Sequence, residues 1–280
     1  MASAKTSVIG LIFEERYEPE TGSLSSDVVT FDDLARAISV SGSSLSSANL
    51  ANFFKDLVRS HTRNENFPTE VVDAGYTAEQ CIGSVSKGCF RFVPLPEGQT
   101  VAFADRTPAP ELADEVHVVQ SLSLNRESRL LGRRDESWLT QVVANLNLIA
   151  THLALCSPLK LESIQLLQTN VKLRNAEIDA LFLAQNANEV EHESSQILIC
   201  AEMKHGREML EDEQILRGAE AASQEAADRL GLRKVTVVPM GVKTLVGGLV
   251  WIVEFSHDFP PLVPVSERLY RLEPPVQGIS

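Results

Sequence analysis

Closely spaced cysteines are missing from this chain. Its four, Cys81, Cys89, Cys156 and Cys200, are scattered, and no two show the C-x₂₋₄-C spacing of a zinc site. A structural metal or disulfide framework is therefore not expected, and Cys200, inside the apolar run ILICA, reads as a small core residue. Long hydrophobic runs are missing as well. None reaches the roughly 18 residues of a membrane span, and the longest candidate, Leu245 to Phe255, contains Gly247 and Gly248 and carries Glu254, as a buried strand does. The opening MASAKTSVIGLIFEE is too short in apolar residues for a secretory signal, so a cytoplasmic protein is expected. Positive charge is scarce: 25 Lys+Arg stand against 38 Asp+Glu, a net charge of −13. A chain that held DNA by its overall field would be basic, so any nucleic-acid contact must rest on local basic patches. Also absent are GxSxG, a GK[ST] phosphate loop, GxGxxG after a strand, and HExxH. His61, His117, His152, His192 and His257 show no ligand spacing.

What is present is a globular composition. With 280 residues, 44% hydrophobic and 22% charged, the chain can build one large domain or two ordinary ones. The first half is irregular. A serine-rich stretch, Ser39 to Ser47, precedes a helix expected over Ala48 to Ser60, with Leu50, Phe53, Phe54, Leu57 and Val58 on one stripe and Asn52, Lys55, Asp56 and Arg59 on the other face. Short strands or a small α+β unit follow between Val71 and Val93, and Pro94 to Pro110 reads as loop. The second half is rhythmic. The patterns predict a helix from Asp135 to Leu155, striped by Trp138, Val142, Leu146, Ile149 and Leu153, then strands at Leu161–Gln168, Asn175–Ala184 and Gln196–Lys204. A long helix from Glu208 to Leu230 closes on Gly231, and strands at Lys234–Pro239 and Leu249–Phe255 flank a turn at Gly247-Gly248. The tail from Pro260 reads as irregular.

Two of these strands carry charge where strands are apolar. In QILICAEMK, Glu202 and Lys204 are two residues apart and project from one face; in NAEIDALFLA, Glu177 and Asp179 do the same. The polar stretch NANEVEHESS between them has hairpin length. An antiparallel hairpin can therefore bring Asp179 beside Glu202, with Lys204 next to both. Two carboxylates converging at a strand end make an oxygen-rich cage for a hard cation such as Mg²⁺. A lysine at its rim can deprotonate or orient the attacking water and offset charge growing on a phosphate. Charges at i and i+2 more often mark a solvated face, but here they terminate a buried apolar run.

EIDALF followed by ILICAEMK resembles the PD-(D/E)xK nuclease superfamily, over roughly Leu131 to Phe255. The resemblance implies an α/β fold with a restriction-endonuclease-like αβββαβ core and mixed sheet. It implies Asp179, Glu202 and Lys204 as catalytic residues and Asp179 and Glu202 as ligands of Mg²⁺; Ile178 stands where the superfamily often has proline. Gln214 and Arg217, on the following helix, match positions where many members place polar groups facing the site. Glu136 resembles an acid that some members carry on the first core helix, although it sits off the Trp138 stripe; Glu177 is an alternative ligand. His205 follows Lys204 and points away.

The remaining N-terminal residues, 1–130, then resemble the α+β recognition and dimerisation region of a type II restriction endonuclease, with residues 131–280 as the nuclease core and a Pro-rich tail. Asn52, Lys55, Arg59, His61 and Arg63 form one candidate DNA surface, and Arg126, Arg129, Arg133 and Arg134 a second. The implied activity is Mg²⁺-dependent, sequence-specific cleavage of double-stranded DNA by a homodimer in a bacterial cytoplasm, paired functionally with a cognate DNA methyltransferase. Two alternatives stand: a structure-selective repair or junction-resolving nuclease, and a non-catalytic interaction protein on a nuclease-like core.

Overall fold

The computed structural model of the chain describes residues 3–58, 60, 62–81, 88–96, 98–173, 176–187, 196–232 and 235–279. It divides into two compact units, Met1–Ala104 and Asp105–Ser280. The boundary falls earlier than the sequence reading at 130/131. The reason is that the short strand His117–Gln120 pairs in parallel with Tyr270 to Glu273, which commits the segment after Asp105 to the second unit.

The first unit is α+β, as expected. Helices Ala4–Glu14 and Phe31–Val40 accompany a three-stranded antiparallel sheet in the order Val28–Thr30, Gly88–Pro94, Tyr76–Gln80. The second helix starts where the sequence offers a capping box: Thr30 Oγ1 accepts from Asp33 N, and Asp33 reaches back to Thr30 N. Stacked and edge-on rings of Phe54, Phe90 and Phe92 fill the interior. The helix expected over Ala48 to Ser60 is instead a 3₁₀ segment, Ser47–Asn52, followed by a short α-helix, Phe53–Val58. Phe53, Phe54 and Leu57 are buried as the stripe required. The change of pitch between them, however, takes Asn52 and Lys55 off one continuous α-helical line.

The second unit holds a seven-stranded mixed sheet. In spatial order its strands are His117–Gln120, Pro264–Glu273, Leu249–Phe255, Val235–Leu245, Gln196–Lys204, Glu177–Asn186 and Leu161–Lys172. All neighbours are antiparallel except two pairs: Gln196–Lys204 with Val235–Leu245, and His117–Gln120 with Pro264–Glu273. Between the three-strand meander and its parallel neighbour the chain crosses over through a helix. This is the mixed α/β arrangement that the order of apolar patterns predicted.

Four elements differ from the sequence reading. The helix Asp135 to Leu155 is two helices, Glu136–Asn145 and Leu148–Cys156, bent by 62°. Asn147 adopts left-handed geometry (φ 51°) at the break, a conformation that asparagine tolerates. The long helix begins at Asp212 rather than Glu208, and its middle, Ala222–Ala226, is a π-helical turn; Gly231 (φ +70°) follows it as expected. The strand after it does not stop at Pro239 but runs from Val235 to Leu245. Pro239 is tolerated because pairing with Leu249–Phe255 starts only at Met240, so its missing N–H costs no ladder bond on that side. Finally, the supposedly irregular tail contains the strand Pro264–Glu273, with Leu269, Tyr270 and Leu272 buried. Pro264 is its first residue, and the other prolines of the tail lie outside it.

The sheet is covered on both faces. Leu139, Val142, Val143, Ile149 and Leu153 of the bent helix pair pack with Ala201, Met203, Met240 and Val242. On the other face Ala219, Ala222 and Ala226 pack with Leu198 and Cys200. Among the described residues no single helix is long and apolar enough to cross a membrane.

Candidate active site

Gln196–Lys204 is an inner strand of the sheet, paired on both edges, and Ile197 to Ala201 are buried throughout. This is why the sequence places so few polar groups in it, and why the two charges that end it are informative. The antiparallel ladder with Glu177–Asn186 has Ala180 opposite Ala201 as its last pair. Beyond that pair the Asp179 carboxylate takes over from the main chain: its Oδ2 accepts from Met203 N at 2.7 Å. On the other side the parallel ladder continues to Lys204, opposite Lys243. The strand is thus held to its last residue on one edge and opened by a carboxylate on the other.

Lys204 Nζ lies 2.7 Å from Glu202 Oε1 and 2.8 Å from Glu136 Oε1. Side-chain exposures are 10% for Lys204, 12% for Glu202 and 36% for Glu136, so the group opens to solvent mainly at Glu136. Burial would depress the lysine, but the carboxylates of Glu202 and Glu136 hold its proton affinity well above the usual range. Burial raises Glu202 against the pull of Lys204. Burial, then the charge of Glu202, push Asp179 up to about 7, partly offset by the Met203 N–H and by Lys204. Three carboxylates therefore share one ammonium. Arg217 adds a favourable charge toward Glu202 while pairing with Glu213.

No known protein family, curated protein or solved structure matches this chain. The reading of the site rests on its own geometry.

The structure brings Asp179, Glu202, Lys204 and Glu136 together. The Trp138 stripe misplaced Glu136 because the helix buries a second face: Leu139, Thr140 and Val143, three, four and seven residues after Glu136, are all buried. Asp135 starts that helix by accepting from Trp138 N at 2.7 Å, which fixes Glu136 in the first turn. Glu177 is drawn elsewhere; it is exposed and pairs at 3.9 Å with Lys172, its register partner. Gln214, in the first turn of the helix that carries Arg217, has a buried Oε1 with no hydrogen-bond partner among the described residues. His205, after the strand, reaches Gly278 O rather than the carboxylates.

Of the basic candidates in this unit, Arg126 and Arg134 are exposed, and Arg133 is exposed with a 3.2 Å pair to Asp135. Arg129 is half-buried and donates to Ser121 O at 3.1 Å. Arg133 and Arg134 directly precede the helix start that carries Glu136. In the first unit Asn52 is exposed, Lys55 half-buried, and Arg63 half-buried with a bond to Ser60 O at 3.3 Å. Arg59 and His61 lie outside the described residues, as does most of the NANEVEHESS stretch.

Among the described residues no three Asp, Glu, His or Cys side chains converge to hold a metal ion. The donor set is two carboxylates, Asp179 and Glu202. That set still fits Mg²⁺, which is commonly held by one or two carboxylates together with water and substrate phosphate rather than by an all-protein cage. Burial first, then the charge of Glu202 at Asp179 and of Glu136 at Glu202, raises both carboxylates, and a divalent cation held by the pair would offset these costs.

Proposed function

We propose that this chain is a Mg²⁺-dependent endonuclease of the PD-(D/E)xK kind, hydrolysing phosphodiester bonds in double-stranded DNA at specific sequences as a type II restriction enzyme does. The observation that carries the reading is the convergence of Asp179 with Glu202 and Lys204 where the strand ladder opens, on a helix–meander–helix–strand framework. Asp179 and Glu202 would hold the metal. A bound Mg²⁺ supplies Lewis-acid polarisation of the scissile phosphate and lowers the pKa of water.

The other groups follow from their surroundings. Lys204 is held protonated by two carboxylates, so its work is to orient the attacking water and offset charge on the phosphate, not to act as a base. Glu136 accepts from the Lys204 ammonium at 2.8 Å and is its second anchor beside Glu202. Arg217 and the Gln214 carboxamide, on the helix that packs against the Lys204 strand, are polar groups that would receive the substrate backbone. The exposed Arg126, Arg133 and Arg134 supply phosphate contacts close to the chemistry, in a chain too acidic to hold DNA by its overall field.

Cutting both strands of a palindromic site is most simply done by two copies of one site, so the active form on DNA is a homodimer. A DNA methyltransferase protecting the same sequence is the functional counterpart, and a bacterial cytoplasm the setting.

The test is plasmid cleavage with and without Mg²⁺, with discrete fragments as the expected product. Asp179→Ala, Glu202→Ala and Lys204→Ala should each lower cleavage by several orders of magnitude. Wild-type cleavage by Asp179→Asn would overturn the assignment, and smeared products would favour a structure-selective nuclease. Ca²⁺ in place of Mg²⁺ should support DNA binding without hydrolysis.

A further inference from the structure

We propose that the segment 274–279 is a strap that positions the candidate site, fixing Glu136 and Lys204 at ion-pair distance through the residues beside them. The proposal deepens the nuclease reading, on which its catalytic consequence rests. The strap is a built feature. Val276 and Ile279 are buried in the core beneath the bent helix pair. Ser121 Oγ donates to Pro274 O at 2.6 Å, and Gln277 N donates to Arg129 O at 2.9 Å.

Two main-chain carbonyls then face the two walls of the site. Gln277 O accepts from Trp138 Nε1 at 2.9 Å, and Trp138 stands two residues after Glu136 in the same first turn. Gly278 O accepts from His205 Nε2, and His205 directly follows Lys204. Adjacent carbonyls of one short segment thus tie the helix start that carries Glu136 to the strand end that carries Lys204.

The approach is close enough to exclude side chains. A Cβ on Gly132 would lie 1.8 Å from Gln277 O, and one on Gly278 (φ +85°) would lie 2.1 Å from Arg133 O. Only glycine fits at either point, so the strap lies directly against the 132–138 segment rather than being bridged to it by side chains. Glu136 is the more exposed partner of the pair with Lys204 and lies in the first turn of its helix, where fraying begins, so a second anchor there has a purpose.

His205 is the residue through which to test this, because it is half-exposed and its replacement leaves the core intact. His205→Ala removes the donor to Gly278 O, whereas His205→Gln keeps an N–H that can reach the same carbonyl. With wild-type chain in Mg²⁺, the Ala variant should lose roughly tenfold to a hundredfold in kcat, the cost of displacing a reacting group by about 1 Å. KM for duplex and Ca²⁺-supported DNA affinity should stay within about twofold, and the Gln variant should recover most of the kcat.

A second readout does not use cleavage. The ¹⁵Nζ ammonium resonance of Lys204 is sharp only while Glu136 and Glu202 hold its protons, so it should broaden in His205→Ala and return in His205→Gln. An Ala variant with wild-type kcat and an unchanged resonance would overturn the proposal. So would equal loss in both variants, or lost DNA affinity, since each assigns the role to the imidazole itself. A wild-type chain that cleaves no DNA would fail the nuclease reading while leaving the resonance to decide the strap.

Discussion

Replacing Asp179 by asparagine should abolish cleavage and at the same time stabilise the metal-free protein. The carboxylate is raised from 3.8 to about 7, first by burial and then by Glu202. Folding therefore binds a proton more tightly at this position than the unfolded chain does. In linkage terms, the contribution of this one carboxylate is greatest in acid, falls as pH rises from about 4 to about 7, and is level above that. Three units at about 1.4 kcal/mol each give a ceiling of about 4 kcal/mol. Asp179 is not fully enclosed, and solvent screening brings the expected gain to about 1–2 kcal/mol at pH 8. The amide has nearly the same shape, and its carbonyl can still accept from Met203 N, so no compensating loss is expected. For a unit of this size the gain corresponds to a rise of roughly 2–8 °C in Tm. Thermal unfolding at pH 8, pH 5 and pH 3.5, with excess chelator, measures it: the variant should lead at pH 8, lead by less at pH 5 and draw level by about pH 3.5. Added Ca²⁺ should raise the wild-type midpoint and leave that of the variant where it was. A variant less stable than wild type at pH 8, or an advantage that does not shrink in acid, would refute the crowding on which the metal assignment depends.

Lys204→Ala should behave in the opposite way, losing roughly 3 kcal/mol or more in urea unfolding, because it leaves Glu136 and Glu202 without their shared cation; an unchanged midpoint would mean the two carboxylates are hydrated rather than paired. His152 is buried between Ser266 and Tyr270, and burial followed by the charge of Arg268 lowers it to about 4. Its folded value lies below the unfolded one, so stability should be complete above about pH 6.5 and fall by about 3 kcal/mol on the way to pH 4, a loss that His152→Gln, followed by pH-dependent unfolding, should remove. Arg133→Ala with Arg134→Ala should weaken Ca²⁺-supported binding to all duplexes alike and reduce the salt slope by about one per lost phosphate contact. A titration with unchanged slope would place the DNA elsewhere. Sedimentation showing one chain per duplex throughout a double-strand cut would contradict the homodimer.

The parts of the fold that depend on local pattern were legible. ILICA needs burial on both sides and obtains it; Gly231 and the Gly247-Gly248 turn take positive φ because only glycine does so without strain. The parts that depend on what lies across the molecule were not. Asn147 breaks a helix whose apolar stripe runs on through the break, so periodicity alone could not show it. Ser266, Arg268 and Tyr270 share one face of an inner strand, and the polar and charged members of VSERLYRLE disguise it, since Tyr270 is satisfied by His152 and Cys156 from another element. Glu136 needed knowledge of which helix face meets the sheet.

The candidate site shows the same division within a few residues. The sequence can say that Glu202 and Lys204 share a face, because the strand period is two. It cannot say that the ladder stops at Ala180 and Ala201, yet that stop turns neighbouring charges into a site. A buried N–H at Met203 must find an acceptor, and once the main chain of the next strand has parted from it, the Asp179 carboxylate is the group that serves. Satisfying that donor draws Asp179 toward Glu202 against their mutual repulsion. The fold thus holds two carboxylates together for a backbone reason, at a cost in stability that metal binding can offset. A structural hydrogen bond and the proposed metal-binding pair are here one arrangement, and Asp179→Asn separates them because it keeps the first and removes the second.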